Sequence, residues 1–187
     1  MNRKQDIILK AARLFRKKGF SSSSMRDIAS NVGIEAPSLY NHIKSKHEIL
    51  EILLLEIAED FTKGMNSICE SDKKASHLLK EIIDLHITLT IEKTDQIALL
   101  THEWINLTGD AKEEFIKHRN EYEVNFRKVI EKGIQNGEFK NLHIDLTVFS
   151  TLSTLRWLYA WYKSNPEMDI LRLRKDMYTL LVDGLML

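Results

Sequence analysis

The chain has 187 residues, 27 Lys/Arg against 27 Asp/Glu, and 43% hydrophobic side chains, the profile of a folded, water-soluble protein of one or two domains rather than a disordered one. Seven glycines and two prolines argue for long helices over a turn-rich all-β fold. One cysteine, Cys69, excludes an intrachain disulfide and a thiolate metal cluster, and suits a reducing cytoplasm.

The opening segment MNRKQDIILKAARLF is charged every few residues, so it reads as neither a signal peptide nor a membrane span, and no membrane partner is expected. Ile7, Ile8, Ala11, Ala12, Leu14 and Phe15 recur at helical spacing and predict a first helix from about Lys4 to Lys18. Gly19 closes it, because a left-handed conformation costs glycine little. After FSSSS, Ser24 and Asp27 form a capping box that opens a second helix, MRDIASNV. Its inner face carries Met25, Ile28, Ala29 and Val32, and Gly33 ends it. Pro37 then sits where a first helical turn tolerates proline, predicting a short third helix, PSLYNHI. Ser45 and Glu48 form another box ahead of a long fourth helix running from near Lys46 toward Cys69. Helix, glycine-bearing turn and short helix make a helix-turn-helix pattern. Further helices are predicted at about 75–92, 95–106, 111–135, 145–163 and 168–184, with Asp110, Asp145 and Asp169 as N-caps. The expected fold is all-α.

The neutral total hides an asymmetry. Residues 1–50 hold ten Lys/Arg against four Asp/Glu; residues 51–187 hold seventeen against twenty-three. A basic head on an acidic body suggests that the head meets a polyanion. In a helix-turn-helix the second helix of the motif enters the major groove with its N-terminal side chains toward bases and phosphates. Here Ala36, Pro37 and Ser38 permit close approach, and Ser38 can donate to a phosphate or base edge. Tyr40, His42 and Lys46 supply donors suited to phosphate, and Arg26 can reach a base edge or the backbone. Ser24, Met25 and Asn41 complete the candidate interface. Singly, each could be an ordinary surface residue; spacing, cap pattern and local basicity together favour double-stranded DNA.

These residues also carry a family resemblance. ILKAARLFRKKGF, SMRDIASNVGI and SLYNHIKSKHEIL, in that order, resemble the DNA-binding domain of TetR-family transcriptional regulators. Two positions depart from that pattern. Glu35 stands where a Ser or Thr usually caps the reading helix, and Ile43 where a Phe is usual. The resemblance implies a DNA-binding domain at 1–47 and a helical effector-binding and dimerisation domain at 48–187. It implies a homodimeric repressor, released from a palindromic operator when a small effector favours mis-spaced reading heads. It also implies a four-helix interface made by the last two helices of each subunit. LTVFSTLSTLRWLYAWY supports that interface independently, being apolar nearly all round, beside a stripe of Leu173, Met177, Leu180 and Leu181. Trp157 and Trp161 belong to the same expected interface. GIQNGEFK (133–140), the following Asp145 and RWLYAWY resemble, more loosely, the subgroup that senses acyl-CoA, so the expected effector is an acyl-CoA or fatty acid.

The middle helices can form a ligand cavity. Candidate lining residues are His86, Leu89 and Thr90, then Trp104, then Arg119, Tyr122 and Phe126 at spacings of three and four. The competing reading is an ordinary packed core with Arg119 reaching water. No enzyme, metal or cofactor is expected. HEWIN (102–106) and HEILE (47–51) lack the second histidine of a zinc H-E-x-x-H, and no glycine-rich phosphate cradle or Gly-x-Ser-x-Gly elbow occurs. The rival from another class is a non-catalytic helical interaction protein whose basic head binds RNA or an acidic protein.

Overall fold

The structure is a computed structural model that describes residues 3–187. Among them the helices are α1 (Arg3–Lys18), α2 (Met25–Val32), α3 (Ala36–Tyr40), α4 (Lys46–Cys69), α5 (Ala75–Glu92), α6 (Thr94–Glu103), α7 (Gly109–Gln135), α8 (Ile144–Ser164) and α9 (Ile170–Tyr178). A 3-10 turn, Trp104–Asn106, follows α6, and a π-helical turn, Thr179–Asp183, follows α9. The only extended pairing among the described residues is an isolated antiparallel bridge between Phe139 and Met186. The chain is all-α, as expected.

The chain divides into two compact units, Met1–Ala58 with Asp95–Ile116, and Glu59–Thr94 with Lys117–Leu187. This division by packing differs from the functional boundary expected between residues 47 and 48, because α6 and the start of α7 complete the first unit's core.

In the first unit, Ile7, Ile8, Ala11 and Phe15 of α1 meet Ile28, Leu39, Ile43, Leu50 and Leu54, all buried. Leu99, Leu107 and Phe115 close that core. Both glycine stops adopt the left-handed conformation, with φ of 87° at Gly19 and 78° at Gly33. Ser24 caps α2 through the full box: its hydroxyl accepts from the Asp27 backbone at 3.2 Å, and the Asp27 carboxylate accepts from the Ser24 backbone at 2.8 Å. The box at α4 is only half made. Ser45 accepts from Glu48 N at 3.1 Å, but the Glu48 carboxylate takes Lys44 N and Lys4 instead. Helix α3 is shorter than predicted. Glu35 occupies its N-cap without a side-chain bond, and the chain turns after Tyr40 through a His42 N–Leu39 O bond of 3.0 Å. Buried Leu39 and Ile43 anchor the segment from within.

In the second unit α5 packs against α8 and α9. The N-terminus of α5 has no side-chain cap of its own. Glu138 supplies it from far along the chain, accepting from Ala75 N and Ser76 N at 3.0 Å each. Burial pushes this carboxyl up, but the bonds from Ser76 and Ala75 outweigh it and hold it below its ordinary value. Two glycines build the corner that presents Glu138. Gly137, at φ 68°, ends α7, and a Cβ on Gly133 would lie 2.1 Å from the Phe139 ring.

The N-cap expectations divide. Asp169 caps α9, accepting from Arg172 N at 2.7 Å. Asp110 and Asp145 instead lie inside the first turns of α7 and α8, where their charge still complements the helix dipole. The last helix also breaks earlier than predicted. Leu173 and Met177 face inward at helical spacing, yet the next buried residue is Val182, five further on. The π turn inserts the extra residue that turns Val182, rather than Leu181, into the core.

Candidate nucleic-acid interface and interior polar cluster

The side chains expected to meet DNA separate into two groups. Arg26, Pro37, Ser38, Asn41 and His42 are exposed, and Tyr40 is 55% exposed, unusual for a ring of its size. Met25 and Ala36 are half-buried against the first unit's core. Ser24 is exposed but occupied by its capping box with Asp27. The Lys18 ammonium beside Asp27, with the bonds from Ser24, holds that carboxyl far below the usual carboxylate range.

Lys46 departs from expectation. Its ammonium donates to the carbonyls of Phe20 at 2.9 Å, Ser21 at 3.1 Å and Ser23 at 3.0 Å, and lies 4.6 Å from the centre of the Phe20 ring. An ammonium has three donors, and all three are taken. Lys46 therefore braces the turn between α1 and α2, and the phosphate role expected of it is not supported. Other head cations are also occupied: Lys4 with Glu48, Lys10 with Asp6, Arg16 with Asp95, and Lys18 with Asp27. Among the described residues of this head, Lys17, Arg26 and Lys44 are exposed and make no ion pair. The positive surplus that can meet a polyanion concentrates there.

The candidate effector residues separate as well. His86 on α5 and Tyr122 on α7 are buried and joined by a 2.7 Å bond between the imidazole Nε2 and the phenol oxygen. Phe61 of α4, which periodicity had not singled out, completes the cluster, its ring 4.7 Å from His86 and 6.0 Å from Tyr122. Its signal was available: Ile57, Phe61 and Met65 recur every four residues along one face of α4. Phe126 is fully buried with its ring 6.4 Å from Tyr122. Burial, reinforced by the Arg156 charge, pushes His86 down to about 3, and burial raises Tyr122 far above its ordinary value. Both are neutral at any physiological pH. Leu89 and Thr90 are buried on α5.

Trp104 does not join this cluster: it stacks on Phe115 at 5.9 Å against the first unit's core. Arg119 is half-buried, and the Glu123 carboxylate one turn on pairs with Arg156 at 3.0 Å.

The expected dimer residues also divide. Trp157, Trp161 and Leu180 are exposed, as are Leu146 and Phe149 on α8, and Leu181 is half-buried. Leu173 and Met177 are only 4% and 6% exposed. They belong to this chain's own core, where the period-four stripe places them against α5, and are removed from the expected interface.

The fold and this head define a helix-turn-helix regulator. The family model for TetR-type bacterial regulatory proteins matches residues 7–53, and that for tetracyclin repressor-like C-terminal domains matches residues 72–185. The chain belongs to the TetR family. It is a ligand-responsive transcriptional repressor, from a family of regulatory proteins rather than catalysts. It is 23% identical over 186 residues to the transcriptional repressor KstR2 of Rhodococcus jostii, covering 98% of this chain and 91% of the relative. The structure of the ketosteroid transcriptional regulator KstR2 of Mycobacterium tuberculosis superposes with a TM-score of 0.93 at 20% identity, covering 100% of this chain and 96% of that one. AibR, solved in complex with isovaleryl coenzyme A and operator DNA, gives a TM-score of 0.83 at 22% identity over 97% and 98% of the two chains. No described helix is long and apolar enough to cross a membrane.

Proposed function

We propose that this repressor acts in the cytoplasm as a homodimer that binds a palindromic operator through Arg26, Pro37, Ser38, Tyr40, Asn41 and His42. The observation that carries this reading is the division of labour in residues 1–58. Side chains with structural work, Ser24, Asp27, Lys46 and Glu48, are occupied within the chain, while Arg26 at the start of α2 and Pro37, Ser38 and Tyr40 on α3 are exposed. Tyr40 and His42 serve phosphate contacts that set register, and Arg26 and Ser38 reach base edges. Dimerisation uses the exposed apolar face of α8 and the end of the chain, centred on Leu146, Phe149, Trp157, Trp161 and Leu180.

The effector in this proposal is an acyl-CoA whose apolar chain lies among the side chains around His86, Leu89, Tyr122 and Phe126, with Arg119 as a candidate for an anionic head group. The isovaleryl coenzyme A bound by AibR supports that class. Effector and operator favour different conformations, so each weakens the other's binding. Acyl-CoAs of increasing chain length, titrated beside CoA alone, should raise the melting temperature progressively and release the operator over the same range. A flat response with operator binding unchanged would overturn the acyl-CoA assignment.

A further inference from the structure

Thr90 lies on α5, one helical turn after His86 and therefore on the same face. It is 1% exposed, and its hydroxyl has no hydrogen-bond partner among the described residues. Other helical threonines behave differently. Thr94, Thr101, Thr147 and Thr154 each donate to the carbonyl four residues earlier, at 2.6, 2.9, 3.1 and 3.2 Å. That bond is available to any helical threonine, and Thr90 does not make it. A buried hydroxyl left without a partner costs folding free energy and is uncommon in a packed interior.

The surroundings restrict what can satisfy it. Besides the phenols of Tyr122 and Tyr159, the buried polar side chains described in the second unit are Thr62, His86, Thr90, Thr147 and Thr151, with no buried Lys, Arg, Asp or Glu. His86 is uncharged. The Arg156 guanidinium, whose charge is felt at His86 and Tyr122, is half-exposed and already paired with Glu123. None of the buried side chains described in this unit supplies a counter-charge for an ionised carboxylate beside Thr90, and the half-buried Arg119 is assigned to the effector's anionic head group rather than to this point. A neutral carbonyl would not need a counter-charge: it accepts the Thr90 O–H, and the apolar groups it carries suit the ring cluster of Phe61, Tyr122 and Phe126 around His86, one turn earlier on the same helix face.

We infer that Thr90, beside the His86–Tyr122 pair, is the point at which this protein reads a neutral carbonyl oxygen of its effector, a thioester or a ketone, and rejects the free acid. This inference rests on an effector binding among these helices, and it sharpens the acyl-CoA proposal by naming the atom that is recognised.

The test uses the full-length protein and two matched pairs of compounds. Decanoyl-CoA and S-decyl-CoA differ by one carbonyl oxygen; 2-undecanone and decanoate compare a ketone with a carboxylate. Calorimetric titration should show the carbonyl member of each pair binding about twofold to tenfold tighter, the range one neutral hydrogen bond supports. Thr90→Val keeps the shape and should erase that preference while leaving S-decyl-CoA affinity unchanged. Thr90→Val should also raise the melting temperature of the unliganded protein, since it removes an unpartnered hydroxyl. Equal affinities within both pairs, tighter binding of decanoate, a preference that survives Thr90→Val, or a lowered melting temperature would each overturn the inference. If 2-undecanone binds and neither CoA compound does, the acyl-CoA proposal falls and the carbonyl inference stands. If none of the four binds, both fall.

Discussion

The reading head and the interior of the second unit use polar side chains in opposite ways. In the head, polar groups that hold the fold are occupied, and those at the tip of α3 are turned to solvent: Lys46 spends three donors on carbonyls while Tyr40 stays 55% exposed. In the second unit the groups that stand out are buried, namely a neutral histidine, a phenol and a hydroxyl without a partner among the described residues. In the proposed function, exposure marks the DNA-facing side chains of one region, and incomplete satisfaction marks the effector-facing hydroxyl of the other. A surface that must meet a hydrated polyanion gains from donors already in water, whereas a site that selects a small molecule gains from donors that water cannot fill.

The largest expected effect breaks the comparison at the exposed apolar face, which belongs to neither pattern. Trp157→Glu or Leu180→Glu places a charge where the proposed dimer buries an apolar surface, costing several kcal/mol. Sedimentation should show monomer, and operator affinity should fall by about 100-fold or more as a lone head loses its second half-site. Variants that remain dimeric with full affinity would move the interface elsewhere.

A pH titration of stability probes the interior. His86 has its folded value lowered from 6.5 to about 3 by burial, so below pH 6.5 the unfolded chain binds a proton that the native state refuses. Stability should then fall as pH drops through that window, by up to about 1.4 kcal/mol per pH unit, and level off near the lower value. The depressed carboxyls of Asp27, Glu48 and Glu138 also lose their contribution in acid, but only below their ordinary values near 4. Denaturant unfolding between pH 6.5 and 5 isolates the histidine. Wild type should show the slope and His86→Gln should not; equal slopes would mean that His86 is protonated in the native state.

Lys46→Met sharpens the head's half of the comparison. Removing a brace that satisfies three carbonyls should cost about 1–3 kcal/mol of stability and weaken operator binding. The salt dependence of that binding should keep its slope, whereas a lost phosphate contact would flatten it by about one. The smallest effect is Tyr40→Phe, which removes one hydroxyl from an exposed ring. Affinity should drop by about 1 kcal/mol for all duplexes alike, as competition binding against mismatched sites can show. A changed sequence preference would make Tyr40 a base reader.

The head was legible in the sequence because its signals are local. Gly19, the Ser24–Asp27 box, Gly33 and Pro37 each act within a few residues, and each behaves as expected. The role of Lys46 was not legible, since its three acceptors lie more than twenty residues earlier. The same limit hid Glu138, which caps α5 across more than sixty residues. GIQNGEFK read as a family cue, and its physical content appears only with the Gly133–Phe139 contact in view. Periodicity placed His86, Tyr122 and Phe126 together but drew in Trp104, because spacing along a helix does not say which unit's core a face meets. Leu173 and Met177 were assigned to a partner for a similar reason: an apolar stripe looks the same whether its own chain or another covers it.

The central claim is that the exposed tip of α2 and α3 reads double-stranded DNA as one half of a dimer. Selection of bound duplexes from a randomised pool by the full-length protein tests it most directly. The expected product is a palindrome whose half-sites are recognised identically, lost from the pool with Trp157→Glu and altered in base preference with Arg26→Ala or Ser38→Ala. A pool with no enriched sequence, or tighter binding of RNA or an acidic protein by the same head, would contradict the claim.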